Sequence, residues 1–386
     1  MKIFYVVTGA GPYGGSVALI NLIDELRQRG VEVVVAYSSQ GYGAMVDWLN
    51  DRKIKNYEMH GALSLNYPFF SFASSPVKWL YALYRQLLFG NYLPYKKLCR
   101  ILREEKPDIV HTNIGTCAYS FFAAKTCGIP HVWHLREYQK SIGFVFFPSQ
   151  SFFRGLLNRS YSIAITEDLY NFYQRNDITC RVIYDGVMHK DDINYNEEKA
   201  DYFLFVGRID DTKGAKDVVE AFCELSKDNC HSQLWLAGDG NNHYLTMLKQ
   251  MVSAHGLEDR VKFLGFRSDR YELMQKAKAL IVASKSEGFG FITVEAMMNG
   301  CLVIGRNTGG TKIIMDKAAG CAIPFMTKDE LVGAMQEVVS QPPSVYKDRI
   351  LQAQRVAQQH FSVEKNGVEV YNFYREILNP RKLSTQ

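Results

Sequence analysis

Short apolar runs alternate with amphipathic segments along the first half of the chain. The N-terminal run KIFYVV predicts a buried strand, and the following SVALINLIDELRQRG predicts a helix that ends at Gly30. Further strands are predicted at VEVVVAY, PDIVHTN, IPHVWHL and YSIAITE, the last three each entered from a helical segment. Strands and helices that alternate in this order form a parallel sheet covered on both faces, so the first half is predicted to be α/β.

The same pattern restarts after a turn at Asp185-Gly186 and the polar stretch DDINYNEEKAD, which is typical of a linker. Beyond it, strands are predicted at YFLFVGR, SQLWLAG, RVKFLGF, ALIVAS and LVIGR, with helical segments between them. We therefore expect two doubly wound, Rossmann-like domains, 1–190 and 191–361. The remaining segment, 362–386, contains one more amphipathic helix.

Composition narrows the class of protein. With 386 residues, 47% of them hydrophobic, the chain is long enough for two packed domains. It begins without a signal peptide, and no run reaches the roughly 18 apolar residues that span a bilayer. The eight cysteines are scattered without a C-x-x-C pair, which is typical of reduced thiols. The expected location is therefore the cytoplasm.

Charge is distributed unevenly around a net value of +5. Residues 1–190 hold 21 Lys and Arg against 14 Asp and Glu, whereas 191–386 hold 24 against 26. Residues 59–103 contain no acidic side chain, and within 66–103 apolar and aromatic residues recur at helical spacing beside basic ones. This segment is either a surface that contacts anionic lipid at the inner face of the plasma membrane or a helix packed within the first domain. Nucleic acid is not an expected partner, because the net charge is modest and no binding motif is present.

The opening loop, VVTGAGPYGGS, contains the G-x-G-x-x-G spacing of dinucleotide-binding folds. An acidic residue should then end the second strand to hold the ribose, but that position is occupied by Tyr37, Ser38 or Ser39. NAD is therefore not the expected ligand. The glycines still allow close backbone approach at a helix N-terminus, where free amides favour anions, and a purely structural turn stays open as an alternative.

Two carboxylates flank a glycine loop in the second half of the chain. Glu287 precedes Gly288-Phe289-Gly290, a helix is predicted to start at Phe291, and Glu295 lies about one turn into it. Free amides at such a helix start can cradle a diphosphate. Carboxylates on either side can accept sugar and ribose hydroxyls, so the pattern favours a nucleotide sugar over simple phosphate.

Two cations follow the first strand of the second domain. Arg208 and Lys213 lie in VGRIDDTKG, and both should project from the carboxyl edge of the sheet, where α/β folds bind ligands. Together they can neutralise a diphosphate leaving group, and no D-x-D pair for a metal is present. Ordinary surface charge is the alternative for each of them.

These motifs together resemble the retaining glycosyltransferases of family 4, which have the GT-B fold. The resemblance lies in Gly-Arg-x4-Lys, in Glu-Gly-Phe-Gly-x4-Glu-Ala about 75 residues later, and in the Gly-Gly-Thr after that. It covers nearly the whole chain, and it implies two Rossmann-like domains that face each other across a cleft, with the C-terminal helix returning to the first. The chain departs from the family at Asp185, where Asn is usual, and at Ile313, where Glu is frequent.

The resemblance also implies roles for particular residues. Glu295 resembles the acid that binds the ribose, Glu287 the residue that contacts the donor sugar, and His134 the histidine near the anomeric carbon. The diphosphate is expected to contact both cations, the loop at Gly14-Gly15 and the helix-start amides, and the base to lie at Phe266. The implied donor-binding residues are Gly14, Gly15, Arg208, Lys213, Phe266, Glu287, Gly288, Phe289, Gly290, Phe291, Ile292 and Glu295. His134, Glu287, Arg208 and Lys213 are the implied catalytic set.

The reaction implied by the family is the transfer of a sugar from a UDP- or GDP-linked donor, with retention of configuration and without a metal or other cofactor. The acceptor is expected to be a saccharide or a lipid-linked saccharide, in the assembly of capsule, O-antigen or exopolysaccharide. Three alternatives stay open: a GT-B epimerase or phosphorylase, a non-catalytic nucleotide-sugar-binding protein and, least favoured, an NAD oxidoreductase.

Overall fold

The computed structural model describes residues 1–7, 14–38, 43–59, 76–115, 117–138, 149–175, 179–228 and 231–379. The chain forms two compact units. The first domain comprises Met1–Gly186 and Val363–Gln386, and the second comprises Val187–Ser362. Within the described residues, no helix is both long and apolar enough to span a bilayer.

The first domain is built on a seven-stranded parallel sheet in the order β3-β2-β1-β4-β5-β6-β7. Its strands are Lys2–Val7 (β1), Glu32–Ser38 (β2), Lys55–Met59 (β3), Ile109–Thr112 (β4), His131–Leu135 (β5), Tyr161–Ala164 (β6) and Cys180–Val182 (β7). Its first seven helices are Gly15–Gln28 (α1), Gly43–Asp51 (α2), Pro76–Leu87 (α3), Leu93–Glu105 (α4), Ala118–Thr126 (α5), Gln150–Leu157 (α6) and Glu167–Phe172 (α7). A π-helical turn, Leu88–Tyr92, joins α3 to α4.

The second domain has the same type of architecture, with a six-stranded parallel sheet in the order β10-β9-β8-β11-β12-β13. Its strands are Tyr202–Val206 (β8), Gln233–Ala237 (β9), Val261–Gly265 (β10), Ala279–Val282 (β11), Val303–Arg306 (β12) and Ile323–Phe325 (β13). Its helices are Ala215–Leu225 (α8), Asn242–Ala254 (α9), Arg270–Lys276 (α10), Phe291–Met298 (α11), Gly309–Lys317 (α12), Lys328–Ser340 (α13) and Lys347–Phe361 (α14). Short 3₁₀ turns occupy Ser226–Asp228 and Pro343–Tyr346.

The last helix, Val363–Leu378 (α15), belongs to the first domain, as the sequence predicts. It packs against α1 and shares the apolar core on that side of the sheet, where Val370, Phe373 and Tyr374 are buried. The other side of the sheet is covered by α4 and α5, so the parallel strands are apolar on both faces. This arrangement confirms the predicted α/β class with two Rossmann-like domains.

A buried carboxylate joins three elements of the first domain. Glu105, the last residue of α4, contacts Lys2 of β1 at 2.7 Å, Lys55 of β3 at 2.5 Å, and the hydroxyl of Tyr57. Burial alone would raise the pKa of Glu105, but the hydrogen bonds from these three groups outweigh it and lower the pKa to about 2. The carboxylate therefore stabilises the folded state wherever it is ionised in both states.

We expect Glu105→Gln to lower the free energy of unfolding by on the order of 2 kcal/mol at pH 7. Because the pKa of Glu105 is depressed in the folded state, its contribution is complete above the unfolded value near 4.5 and is lost as the pH falls towards 2. Urea unfolding at several pH values measures this difference. The control is Glu104→Gln at an exposed neighbour, and a loss that does not shrink below pH 4 would contradict the electrostatic explanation.

Candidate functional site

The strand order of the second domain defines one edge at which loops converge. Strand β8 lies between β9 and β11, so the chain leaves it first towards one side of the sheet and later returns on the other. Ligands of doubly wound folds bind outside the carboxyl ends of the strands at this kind of switch point. Arg208 follows β8 and Glu287 follows β11, so both predicted residues lie at this edge.

Close backbone contacts hold the loops of this edge together. A Cβ atom on Gly310 would lie 1.9 Å from the carbonyl oxygen of Phe289, and the Gly310 amide donates to the Glu287 carbonyl at 3.0 Å. Gly214, with a φ of +73°, approaches the carbonyl of Ala283 just as closely. Only glycine permits these approaches, so the loops after β8 and β11 and the start of α12 form one packed unit.

The two predicted cations of this edge differ in their surroundings. Lys213 pairs with Glu287 at 2.5 Å, so one predicted cation and one predicted acid are in direct contact. Arg208 is 68% exposed and pairs with Asp210. Asp210 also accepts hydrogen bonds from the hydroxyl of Thr212 at 2.7 Å and from the amide of Lys213 at 2.9 Å. The loop is therefore ordered by Asp210, while both cationic heads keep access to solvent.

Helix α11 begins beside this pair. Its N-cap is Gly290 with a φ of +98°, a conformation that favours glycine, and the amides of Phe291 and Ile292 open the helix. Gly288 is half-buried in the loop before it. The ring of Phe289 is buried and packs against Phe291 at 5.2 Å between ring centroids. Phe289 therefore anchors the loop by its side chain, and only its backbone faces α12.

Glu295 has partners that the sequence analysis does not name. Arg270, the first residue of α10, donates to it from Nε at 3.3 Å and from Nη2 at 3.2 Å. The hydroxyl of Tyr271 donates to the same carboxylate at 3.3 Å. Burial and the negative charge of Glu295 raise the pKa of Tyr271 to about 12, so the phenol stays protonated. Glu295 is thus held by two residues of α10, a helix that begins 25 residues earlier in the chain.

The predicted base-binding residue Phe266 lies directly after β10 at the same edge of the sheet. Its ring is 59% exposed, which is unusual for a phenylalanine. The residue before it, Gly265, has a φ of +66°. The chain thus turns at the strand end and directs an aromatic side chain into solvent at the edge that holds Glu295 and Lys213.

In the first domain, the predicted glycine loop lies partly outside the described residues, which resume at Gly14. Gly14 is the N-cap of α1, with a φ of +53°. A Cβ atom on Gly15 would lie 3.5 Å from Cδ of Arg136, so the start of α1 rests beside an arginine that the sequence analysis does not single out. As in the second domain, the helix after the first strand starts next to a cation.

Arg136, which directly follows β5, is held by groups that follow two other strands, β4 and β7. Its Nε donates to Oδ1 of Asn113 at 3.1 Å, and its Nη1 pairs with Asp185, one of the two departures from the family pattern. Asp185 is buried, and its Oδ1 atom makes no hydrogen bond with any described residue. Burial raises the pKa of Asp185, whereas the charge of Arg136 opposes that rise.

His134, predicted near the anomeric carbon, lies at the carboxyl end of β5 and has no exposed surface. Its Nδ1 lies 3.1 Å from Nε2 of His111 and 3.4 Å from Nη2 of Arg136, and its Nε2 lies 3.8 Å from Oδ1 of Asp185. Burial, with the nearby charge of Arg136, holds the pKa of His134 well below its usual range. The imidazole is therefore neutral at pH 7, and its contact with a sugar stays a prediction.

The acid-free segment forms α3, the π-helical turn and α4 in its described part, 76–103. The side chains of Lys78, Trp79 and Arg85 are not among those described. The segment presents an unusual number of exposed apolar residues: Val77, Leu80, Tyr81, Tyr84, Leu87, Phe89, Tyr92 and Leu93. Leu98, Ile101 and Leu102 of α4 are buried in the domain core. The two hypotheses for this segment thus apply to different parts of it, since α4 packs inward while α3 and the turn face solvent.

Comparison with known proteins shows which protein families the two halves of the chain match. Residues 12–190 match the family model "Glycosyltransferase Family 4", and residues 189–356 match "Glycosyl transferases group 1". The crystal structure of HepE from Anabaena in complex with UDP superposes on this chain with a TM-score of 0.77 at 20% identity, over 97% of this chain and 100% of that one. Both family models thus describe glycosyltransferases, and together they cover residues 12–356, while the fold is that of the GT-B structures on which the chain superposes.

Sequence relatives match over less of their length. Alpha-D-kanosaminyltransferase of Streptomyces kanamyceticus is 29% identical over 45% of this chain, and the match spans only 45% of that relative. A Campylobacter jejuni enzyme is 25% identical over 64% of this chain and 70% of its own. That enzyme is named N-acetylgalactosamine-N,N'-diacetylbacillosaminyl-diphospho-undecaprenol 4-alpha-N-acetylgalactosaminyltransferase. Both relatives are glycosyltransferases, in agreement with the fold.

The packing at Gly310 gives a direct test of how the candidate site is held. Gly310→Ala should separate α12 from the loop at Phe289, lower the free energy of unfolding of the second domain by about 1–3 kcal/mol and weaken nucleotide binding. Thermal unfolding with and without UDP measures both effects.

The matched control is Gly333→Ala, at an exposed position of α13 where an added Cβ contacts nothing within 4 Å. This change should leave stability equal or slightly higher, because alanine favours helix. Equal effects of the two substitutions would contradict the structural role assigned to Gly310.

Proposed function

We propose that this protein transfers a sugar from a nucleotide sugar to a saccharide or lipid-linked saccharide, with retention of anomeric configuration. The observation that supports it most is the contact of Lys213 with Glu287 at a switch-point edge that also presents Arg208, the start of α11 and Glu295. This set combines positive charge for a diphosphate with carboxylates for hydroxyls. Trapping of phosphate alone would need no carboxylates.

The cations have the clearest chemical task. When the glycosidic bond breaks, negative charge develops on the β-phosphate, and fixed positive groups aimed at that oxygen stabilise the transition state. Arg208 and Lys213 can supply this charge together with the amides of Phe291 and Ile292. On this basis we propose that the reaction proceeds without a metal ion, since two side-chain cations perform the neutralisation that a metal performs elsewhere.

Binding of the donor would replace the contact between Lys213 and Glu287 by contacts of each residue with the donor. In the structure, Lys213 and Glu287 neutralise each other. A phosphate oxygen can replace Glu287 on the lysine, which leaves the carboxylate free to accept hydrogen bonds from the donor sugar. Lys213 would thus keep an anionic partner, and Glu287 would keep hydrogen-bond donors in place of the ammonium group.

Glu295 and Phe266 would hold the nucleoside. A carboxylate that keeps its two hydrogen bonds from Arg270 and gives up the one from Tyr271 has lone pairs for two ribose hydroxyls, and an exposed ring after β10 can stack on a base. We favour UDP or GDP as the nucleotide. The likeness to HepE, whose structures are described in complex with UDP and with UDP-glucose, supports UDP.

Retention needs the acceptor to approach the face from which the diphosphate departs. The acceptor oxygen forms the new bond to the anomeric carbon as the bond to the β-phosphate oxygen breaks, and the acceptor proton passes to that departing oxygen. We propose that no side chain acts as the nucleophile in this step. For Gly14, Gly15 and His134 of the first domain, the implied contacts with the diphosphate and the sugar stay predictions, and the imidazole of His134, which is neutral at pH 7, is not proposed to act as a base.

The lipid-linked acceptor of the Campylobacter jejuni relative supports a role in surface-polysaccharide assembly, with the protein in the cytoplasm. The acceptor itself is proposed only as a class, a saccharide with or without a lipid carrier. An epimerase, a phosphorylase or a non-catalytic binding protein would use the same donor pocket, so they are distinguished by the products formed rather than by binding.

Glu295→Ala should weaken binding of the cognate nucleotide about 10- to 100-fold, because a charged acceptor for two hydroxyls is lost. The fold should persist, since Arg270 and Tyr271 keep partial access to water. Thermal-shift screening of UDP, GDP and ADP identifies the nucleotide, and calorimetric titration then compares the variants.

The control is Glu224→Ala, an exposed acid of α8 that pairs with Lys227. Unchanged affinity of Glu295→Ala would count against the assigned site. Release of free nucleoside diphosphate from donor plus acceptor, with the product anomer read by NMR, separates transfer from epimerisation, phosphorolysis and plain binding.

We further propose that α3 and the π-helical turn contact anionic membrane. The supporting observation is the run of exposed apolar and aromatic side chains in Pro76–Leu93, followed by the basic residues Lys96, Lys97, Arg100 and Arg103 of α4. Aromatic rings at headgroup depth beside basic residues are typical of interfacial binding. Such contact would bring the enzyme to a lipid-linked acceptor.

Vesicles with 30% phosphatidylserine should sediment the protein at low salt, and less of it at 0.5 M NaCl, because screening weakens the basic contribution. Replacing Tyr81 and Tyr84 by Ser should reduce sedimentation several-fold. Replacing Val345 and Val368, which are exposed apolar residues elsewhere in the protein, should leave sedimentation unchanged. Equal binding of the two double variants, or none by the native protein, would overturn the proposal.

A further inference from the structure

A buried chain of hydroxyl and imidazole groups crosses the first domain. The hydroxyls of Tyr5 and Tyr374 are 2.8 Å apart, and the Tyr374 hydroxyl lies 2.5 Å from Nδ1 of His111. Nε2 of His111 lies 3.1 Å from Nδ1 of His134. The four residues have no exposed surface and come from β1, α15, β4 and β5. The returning helix thus contacts, through His111, the predicted site of the first domain.

At neutral pH, His111 and His134 each carry a hydrogen on only one of their two ring nitrogens. Burial, aided by the charge of Arg136, lowers the pKa of His111 and of His134 well below the usual range. Burial likewise keeps the pKa of Tyr374 well above its usual value, so its hydroxyl retains a proton to donate. Each imidazole therefore has one donor and one acceptor nitrogen, and the chain can run in only two directions.

The groups around His134 select one direction. Nη2 of Arg136, which can only donate, lies 3.4 Å from Nδ1 of His134, so that nitrogen should be an acceptor. Oδ1 of Asp185, a carboxylate oxygen, lies 3.8 Å from Nε2, and a hydrogen on Nε2 is attracted to it. If Nε2 carried no hydrogen, its lone pair would instead face a lone pair of the Asp185 carboxylate, which is repulsive. Both neighbours therefore place the hydrogen on Nε2.

The other end of the chain agrees with this direction. With Nδ1 of His134 as an acceptor, Nε2–H of His111 donates to it, and Nδ1 of His111 accepts from Tyr374. Tyr374 then accepts from the hydroxyl of Tyr5, and all hydroxyl protons are used. In the opposite direction the Tyr5 hydroxyl would need an acceptor, and no other described residue offers one. A buried donor without an acceptor is unfavourable.

We infer that Tyr374 is a positioning residue: its hydroxyl, acting through His111, fixes the hydrogen of His134 on Nε2, facing Asp185. The Nε2–H group then supports the carboxylate that holds Arg136 beside Gly15. Without the Tyr374 hydroxyl, Nδ1 of His111 loses its donor, and the opposite tautomer becomes accessible to both rings. The consequence for turnover rests on the proposed function, whereas the tautomer itself does not.

The tautomers can be read without any activity. Long-range ¹H–¹⁵N correlation spectra of protein labelled with ¹⁵N-histidine distinguish a protonated ring nitrogen from a bare one, and single His→Gln variants assign the signals. We expect Nε2–H for both His111 and His134 in the native protein. In Tyr374→Phe the His111 signals should shift towards the other tautomer or become a mixture. Tyr371→Phe removes a hydroxyl from the same helix without touching the chain and should leave the spectrum unchanged.

Turnover supplies the second readout once donor and acceptor are known. Tyr374→Phe should lower kcat about 10-fold, equivalent to one hydrogen bond, and should leave the KM for the donor within about twofold. Tyr371→Phe should leave both unchanged. A native spectrum with the hydrogen of His134 on Nδ1, or unchanged tautomers in a folded Tyr374→Phe variant, would overturn the inference. If the native protein shows no transfer at all, the proposed function fails and the spectra still decide the role of Tyr374.

Discussion

The first strand of each domain lies inside its sheet rather than at an edge, and the candidate sites depend on that placement. Strand β1 lies between β2 and β4, and β8 between β9 and β11. Because all strands are parallel, every loop that follows a strand emerges at the same edge, and the loops beside the first strand diverge and leave space between them. Arg208 and Glu287, 79 positions apart in the chain, are brought to the same edge by this topology.

The loops around that space are held together by close backbone contacts as well as by the side chains of Asp210 and Phe289. The approach of Gly310 to Phe289 and that of Gly214 to Ala283 leave no room for a methyl group. Rigid loops matter because helix-start amides and cations stabilise developing charge only when they are already in place. The glycines in the family-like motifs thus serve packing as much as ligand approach.

Much of the fold could be predicted from the sequence, because long buried strands and amphipathic helices leave clear periodic patterns. The strands missed are short or lie at sheet edges: β3 is largely exposed, and β7 and β13 have three residues each. Of the site residues predicted in the second domain, Lys213 and Glu287 are in direct contact, and their contacts with a ligand stay predictions. Arg270 and Tyr271 beside Glu295, and Arg136 beside Gly15, were not predictable, because each pair joins elements that only tertiary packing brings into contact. The Tyr374–His111 hydrogen bond connects residues 263 positions apart and leaves no local signal either.

The polar groups of the two domains differ in a way that fits different tasks. In the second domain the cations Arg208 and Lys213 reach solvent, and their ion pairs can exchange partners with a ligand at small cost. In the first domain His134, His111 and Asp185 are buried, and removing one partner would leave another without compensation. Exposed, exchangeable charges suit the capture and release of a charged nucleotide. A buried network, held in one protonation state by groups from four elements, suits a part of the protein that must keep one fixed structure while ligand binds and leaves.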